Sequence, residues 1–314
     1  MEVAIIGSGT IGSTAAYTLA LERPALDITL VDVDEDLAEG HAIDTRHGRL
    51  LASLPQFGNA GSTGSITHAG PEPSAIESAD VAVVAASVER PPESVQQNGR
   101  SAFLEGNLEI AREVGELLAE RDPLPVVVVS NPMDRITHRV WEATGWDRHR
   151  ILGYSLCETA RAADKLSERL DVPAAAIYCP VGGEHGEHVV PMFSQCTVDG
   201  DPVDLSEADE AAVLQYVREI AYDVIELRGP EDSTRWLTGQ GITRLVGAIL
   251  DGGVDGRPIT VSVPLDGEYG IEGATLSVPV EIDRSGVSRI LEWDLSADEL
   301  EGLHAAADAI RADI

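Results

Sequence analysis

Gly7, Gly9 and Gly12 stand at the spacing G-x-G-x-x-G, and an acid, Asp32, follows the first of them by twenty-five residues. These residue types at this spacing suit the binding of a dinucleotide. The first glycine permits a tight turn out of a strand, the second lets backbone approach a pyrophosphate, and the third lets a helix pack closely on the strand. Thr10 and Ile11 lie between the last two glycines, at the N-terminus of the helix that should follow. That terminus offers N–H groups and the positive end of the helix dipole to phosphates. Asp32 can accept hydrogen bonds from the hydroxyls of the adenosine ribose. The same carboxylate repels a 2′-phosphate, so NAD is expected over NADP. A glycine turn that only packs a helix is the plainer alternative.

Three other polar groups could carry chemistry: the loop Ser87–Arg100, the run Ser130-Asn131-Pro132, and the pair Glu158 and Arg161 with His185. A histidine titrates near neutral pH and suits proton exchange. Each group also has a simpler reading when taken alone. His185, inside Gly-Gly-Glu-His-Gly, could cap a turn. Glu158 could be an exposed helix acid, Arg161 half of a surface ion pair, and Asn131 a turn former before proline. Cys157, Cys179 and Cys196 show no C-x-x-C spacing, which fits a reduced cytoplasm and no structural metal.

The elements that must position these residues are readable from the pattern. Met1–Ile6 is a short apolar run, Ala15, Ala16, Leu19 and Ala20 mark a helix stopped by Pro24, and Ile28–Val31 is a second apolar run ending at Asp32. A helix over Asp36–Leu51, a short strand at Ser65–Thr67, a buried strand over Ala79–Ala85, a helix over Ser101–Glu120, a strand at Val126–Val129, a helix over Arg135–Thr144 and a strand at Arg150–Leu152 follow. Strands alternating with helices predict an α/β fold that opens with a Rossmann doubly wound parallel sheet over residues 1–152. Residues 153–314 read as an α+β catalytic domain. It holds helices at Ser155–Leu170, Glu207–Leu227 and Trp236–Leu250, strand-like runs across Ile177–Val198, antiparallel strands at Ile259–Val263, Ala274–Ile282 and Ser288–Leu291, and a C-terminal helix capped by Ser296.

The charge balance excludes several functions. Acids outnumber Lys and Arg 54 to 22, the formal net charge is −32, and Lys165 is the one lysine. Such a chain repels nucleic acid and anionic membrane surfaces. No apolar run is long enough to span a bilayer, and the chain opens on a strand rather than a signal peptide, so a cytoplasmic protein is expected. The acids are spread along the whole chain. At molar salt the Debye length falls to about 3 Å, and surface acids then scarcely repel one another. A solvated acidic face would account for some of this; adaptation to high salt accounts for all of it, and the composition resembles that of haloarchaeal proteins.

Taken together, Gly7–Gly12, Asp32, Arg100 with Asn107 seven residues on, Ser130-Asn131-Pro132-Met133-Asp134, Ala160-Arg161 and Gly183-Glu184-His185-Gly186 make the sequence resemble the L-lactate/L-malate dehydrogenase family over nearly the whole chain. Glu158 and Arg161 precede His185 by 27 and 24 residues, as the acid and arginine of that family precede its histidine. The resemblance implies hydride transfer between NADH and a small 2-keto acid. His185 becomes the general acid/base, and Glu158, where the family has Asp, orients its ring. Arg161 grips the substrate carboxylate, and Arg100 polarises the carbonyl when its loop closes. Asn131 orients the carbonyl or holds the nicotinamide region, Asn107 joins the cofactor site, and Thr234 lines the substrate pocket. Arg90 stands where malate enzymes keep an arginine for the second carboxylate. The loop from Arg90 to Arg100 is about four residues longer than the family's Arg-x-Pro-Gly-x-x-Arg, an insertion able to move Arg90 away. L-lactate/pyruvate is therefore favoured over L-malate/oxaloacetate, and a non-catalytic NAD-binding homologue is the alternative of another class. The family forms dimers and tetramers, and the Asp36–Leu51 helix resembles its dimer-interface helix.

Overall fold

A computed structural model describes residues 1–57, 61–89, 99–229, 233–254 and 256–314, with 100 and 101 described by their backbone alone. The first half alternates strand and helix: β1 (Glu2–Ile6), α1 (Thr10–Glu22), β2 (Asp27–Val31), α2 (Glu35–Ser53), β3 (Ile66–Ala69), β4 (Val81–Val84), α3 (Leu104–Ala119), β5 (Val126–Val128), α4 (Met133–Thr144) and β6 (Ile151–Gly153). The second half comprises α5 (Leu156–Leu170), β7 (Ile177–Tyr178), β8 (Val181–Gly183), β9 (Val189–Pro191), β10 (Thr197–Val198), β11 (Asp201–Pro202), α6 (Glu207–Arg228), α7 (Arg235–Asp251), β12 (Ile259–Asp266), β13 (Glu272–Asp283), β14 (Gly286–Ile290) and α8 (Ala297–Arg311).

The first six strands pair in parallel in the order β3-β2-β1-β4-β5-β6. The order reverses between β1 and β4, and a doubly wound sheet opens its ligand crevice at such a point. Buried on both faces, β4 and β5 read as unbroken Val-Ala-Val-Val and Val-Val-Val. Local signals set the helix ends. Asp34 caps α2 by accepting the Leu37 N–H, with Glu35 and Asp36 in the first turn. Gly145, at φ +64°, ends α4.

The sheet does not stop at β6. Gly153 pairs antiparallel with Ser262 of β12, and β13, β8 and β9 extend the same sheet. The core is correspondingly shared: Val3 and Leu19 belong to one buried cluster with Ile242, Val246, Val263 and Leu276. At the C-terminus Ser296 and Glu299 form a reciprocal capping box on α8, and Glu299 also accepts from the Ser194 N–H and hydroxyl.

Boundaries shift from the sequence expectation where pairing or turns decide them. The strand expected at Ser65–Thr67 runs Ile66–Ala69, because that is the stretch aligned with Ile28–Val31. The helix expected from Ser101 begins at Leu104, after a tight 3-10 turn over Gly99–Phe103. Among the described residues no helix is long and apolar enough to cross a membrane.

Candidate active site

A cavity of about 860 Å³ opens along the carboxyl ends of β1, β2, β4 and β5, where Ile6, Val31, Ala85 and Val129 line it. It continues to α5, α6 and α7. At its first end the three glycines do the separate tasks their spacing implied. Gly7 has φ +97°, and a Cβ there would sit 2.3 Å from the Ala86 nitrogen; a Cβ at Gly12 would sit 1.9 Å from the Gly7 oxygen. At Gly9 a Cβ would meet nothing within 4 Å, so this stretch of backbone faces open space. Gly9 is also the N-cap of α1, which has no side-chain cap and no acid in its first turn. Its leading N–H groups and dipole are thus presented to the cavity, and Thr10 and Ile11 line it.

Asp32 lines the same end. Its Oδ2 accepts from the Ser8 N–H at 2.6 Å and the Ser8 hydroxyl at 2.9 Å, and its Oδ1 accepts from the Asp34 N–H at 3.0 Å. Partial burial works to raise its pKa, but these bonds outweigh burial and hold the carboxyl below its usual range. An anion is therefore fixed beside the glycine turn. Val33, Leu37, Pro71, Ile110, Val114 and Leu117 give the cavity an apolar wall suited to an aromatic base.

Asn131 follows β5 and lines the cavity, and its Oδ1 is buried with no hydrogen-bond partner among the described residues. A buried orphan acceptor is costly unless a ligand serves it, and a carboxamide N–H or a hydroxyl would. The orphan acceptor, the open ground over Gly9 and the anchored Asp32 all fit NAD.

Asn107 lies behind the loops that carry Ser87 and Asn131. It is 1% exposed and does not line the cavity. Its Nδ2 donates to the Asn131 carbonyl at 2.6 Å and the Ser87 hydroxyl at 3.0 Å, and its Oδ1 accepts from the Val88 N–H at 2.8 Å. It clamps together the two loops that frame the site.

The histidine that the sequence offered for proton exchange is at the other end. His185 sits on the hairpin between β8 and β9 and lines the cavity with Arg161 and Thr234. Glu158, on the first turn of α5, is only 4% exposed, so it is not a surface helix acid. Its Oε2 lies 3.0 Å from His185 Nδ1, and its Oε1 accepts from Arg161 at 3.0 Å. Thr234 is the N-cap residue of α7. Burial works against the Arg161 charge, but neighbouring negative groups including Glu158 raise its pKa, so it stays cationic. Arg90 lies outside the described residues. The Arg100 backbone lies in the Gly99–Phe103 turn, and its side chain is outside the described residues too.

The sequence reading did not assign several positioning groups. Asp134 is fully buried; its Oδ2 accepts the His185 N–H at 2.7 Å and its Oδ1 the Ser262 hydroxyl at 2.6 Å. Arg135 ion-pairs with Glu184 and with Asp313 at 2.8 Å, and Glu184 Oε2 accepts the His188 N–H at 3.1 Å, so the histidine hairpin is held at both flanks. Gly183 has φ +78°, and a Cβ there would meet the His188 oxygen at 2.4 Å. Cys157, expected only to be a reduced cysteine, donates its thiol to Glu158 Oε2 at 3.0 Å. Asp134 did stand within the Ser130–Asp134 motif, and Cys157 stands next to Glu158, but Ser262 in mid-strand carried no signal.

Dinucleotide binding at one end of a cavity, with a carboxylate-held histidine and a buried arginine at the other, equips this fold for hydride exchange with a small hydroxy acid: the class is NAD-dependent dehydrogenase. Residues 1–153 match the NAD binding domain of lactate/malate dehydrogenase and residues 157–314 its alpha/beta C-terminal domain, and the chain belongs to that family of NAD-dependent 2-hydroxy acid dehydrogenases. It is 33% identical to a malate dehydrogenase of Haloferax volcanii, over 99% of this chain and 97% of that protein. It is 34% identical to an L-lactate dehydrogenase of Treponema denticola, over 99% of this chain and 96% of the relative. The solved, ligand-bound structure of a minor L-lactate dehydrogenase from Enterococcus mundtii matches with a TM-score of 0.85 at 26% identity, covering 99% of this chain and 96% of that one.

Proposed function

We propose that the chain interconverts pyruvate and L-lactate, in preference to oxaloacetate and L-malate. The observation behind this reading is the charge of the cavity wall. Among the described residues that line it, Arg161 is the one arginine or lysine, and Glu89 lines it as well. One guanidinium serves one carboxylate. A second substrate carboxylate needs its own cation in a closed pocket, and a buried unpaired charge costs several kcal/mol. Arg90 is the feature in favour of malate, and the long loop that carries it is the feature against.

When bound, NAD supplies or accepts the hydride. The chain's residues do the rest. The Arg161 guanidinium binds and orients the 2-keto acid carboxylate. His185, with Nδ1 held against Glu158, exchanges a proton with the substrate oxygen through Nε2. Glu158 sets the ring orientation and offsets the imidazolium charge. Arg100 polarises the carbonyl as its loop excludes water, and Thr234 bounds the substrate side chain. The division near residues 152–153 separates the cofactor-binding part from the substrate-binding part. The enzyme works in a salt-rich cytoplasm as a homodimer or homotetramer, supported by free Cys157, Cys179 and Cys196 and by exposed Ile43, Leu50 and Leu51 on α2.

The deciding experiment compares kcat/KM for pyruvate and oxaloacetate at molar KCl, in the parent and in Arg90→Gln. Pyruvate preferred by the parent, with the ratio changing by less than about tenfold in the variant, roughly 1.4 kcal/mol, supports this reading. A loss of oxaloacetate turnover on the order of a thousandfold with pyruvate spared would make Arg90 a direct ligand and the enzyme a malate dehydrogenase.

A further inference from the structure

Proton exchange uses His185 and Glu158 but leaves the thiol between them idle. Cys157 Sγ lies 3.0 Å from Glu158 Oε2 and 4.0 Å from His185 Nδ1, and that nitrogen lies 3.0 Å from the same carboxylate oxygen. We propose that Cys157, Glu158 and His185 form a zinc-binding site at the substrate end of the cavity, and that Zn²⁺ bound there switches the dehydrogenase off.

The donor set and its dimensions both point to this ion. Thiolate, imidazole and carboxylate are the ligands zinc takes, with bonds of about 2.0–2.3 Å. In a tetrahedron of such bonds the donors stand about 3.3–3.6 Å apart. The three observed separations need to change by only about 0.5 Å to match. All three ligand atoms already lie within 4.8 Å of one another. A hard ion such as Mg²⁺ or Ca²⁺ asks for oxygen ligands and would gain little from the sulfur.

Charge and access also agree. On binding, the Cys157 thiol proton passes to solvent and a sulfur–metal bond replaces the sulfur–hydrogen bond. The thiolate and the Glu158 carboxylate bring two negative charges to the metal, leaving one net positive charge once Arg161 is included. Arg161 keeps its bond to the other oxygen, Glu158 Oε1. Cys157 and His185 both line the cavity, so the open fourth position faces it and takes water or a carboxylate oxygen of the 2-keto acid. The histidine cannot serve two masters: with Nδ1 on the metal, the ring has only its Nε2 proton to give and would have to become an anion to give it. Coordination therefore stops proton exchange while leaving the dinucleotide end untouched.

Co²⁺, which takes zinc's place in such sites and reports sulfur ligation by a thiolate-to-metal absorption band, is the spectroscopic probe. Chelator-treated enzyme in molar KCl is titrated with Co²⁺, and with Zn²⁺ by calorimetry. One metal per chain and a thiolate band are expected. The band should vanish in Cys157→Ala and persist in Cys196→Ala, and Zn²⁺ should bind more than about a hundredfold more weakly to Cys157→Ala. Cys157→Ser, which keeps the side-chain size, serves if the alanine variant does not fold. A band that survives in the Cys157 variants, or an unchanged Zn²⁺ affinity, overturns the proposal. In the NADH-oxidation assay, Zn²⁺ should slow the parent at least about tenfold, and Cys157→Ala much less, each against its own metal-free rate. That assay rests on the acid/base role of His185, whereas the cobalt spectrum does not. Failure to reduce any 2-keto acid would therefore sink the proposed function and leave the metal site to be judged on the spectrum.

Discussion

Glu158 Oε2 stands 3.0 Å from His185 Nδ1 while Glu158 Oε1 accepts a hydrogen bond from Arg161 at 3.0 Å. One buried carboxylate thus holds both the ring proposed to exchange the proton and the guanidinium proposed to bind the substrate. Glutamine in its place keeps the shape but not the charge that offsets an imidazolium. Glu158→Gln should lower kcat by between about tenfold and a thousandfold, with NADH affinity unchanged. Glu158→Asp should recover more activity than Gln does. Stopped-flow turnover and NADH fluorescence titration check this; a fully active Gln variant would remove Glu158 from the proton pathway.

Asp32 should enforce the choice of cofactor. Its carboxylate is anchored by Ser8 and Asp34, so it cannot swing away from a 2′-phosphate. The parent should favour NADH over NADPH by more than about a hundredfold in kcat/KM, and Asp32→Ser should cut that ratio at least about tenfold. Equal kcat/KM for the two cofactors in the parent contradicts the assignment.

Asp134 should leave a trace in the dependence of stability on pH. Complete burial, offset in part by the Ser262 hydrogen bond, pushes its carboxyl from an ordinary 3.8 up to about 6. The folded chain then holds this proton more tightly than the unfolded chain. The group's contribution is fully present below about pH 4 and is lost as pH rises from about 4 to about 6. Asp134→Asn has no such proton. Relative to the parent, the variant should gain on the order of 2 kcal/mol across that window, whatever its absolute stability. Denaturant unfolding of both proteins at about pH 4 and about pH 7, in the same high salt, measures the difference. A difference that does not change with pH would show that this carboxyl does not titrate there.

Salt should be needed for the fold itself. With 54 acids against 22 lysines and arginines, self-repulsion opposes compaction in dilute buffer and is screened at molar ionic strength. The melting midpoint should rise steadily as KCl is raised from dilute to molar. A circular dichroism melt that ignores salt would refute the adaptation.

Local pattern alone made much of this molecule readable. The strand, glycine turn, helix, strand and acid at the N-terminus follow one another without a break; Gly12 is required by the Gly7 carbonyl five residues away, whereas Gly7 is also crowded by the backbone after β4 and Gly9 faces open space. The buried valine runs of β4 and β5 and the cap at Ser296 are equally short-range. The family resemblance, supported by the spacing of two neighbouring elements, also brought out His185, Glu158 and Arg161.

Tertiary packing decided the rest. Asp134 reaches His185 across 51 positions and Ser262 across 128. Asn107 ties loops 19 to 24 residues away. No periodicity encodes such contacts, because they depend on how separate helices and strands stack once the sheet continues from β6 into β12. Cys157 shows the same limit at short range. Its neighbour Glu158 was visible in the sequence, but only the fold of α5 against the β8–β9 hairpin turns the thiol, the carboxylate and the imidazole toward one point.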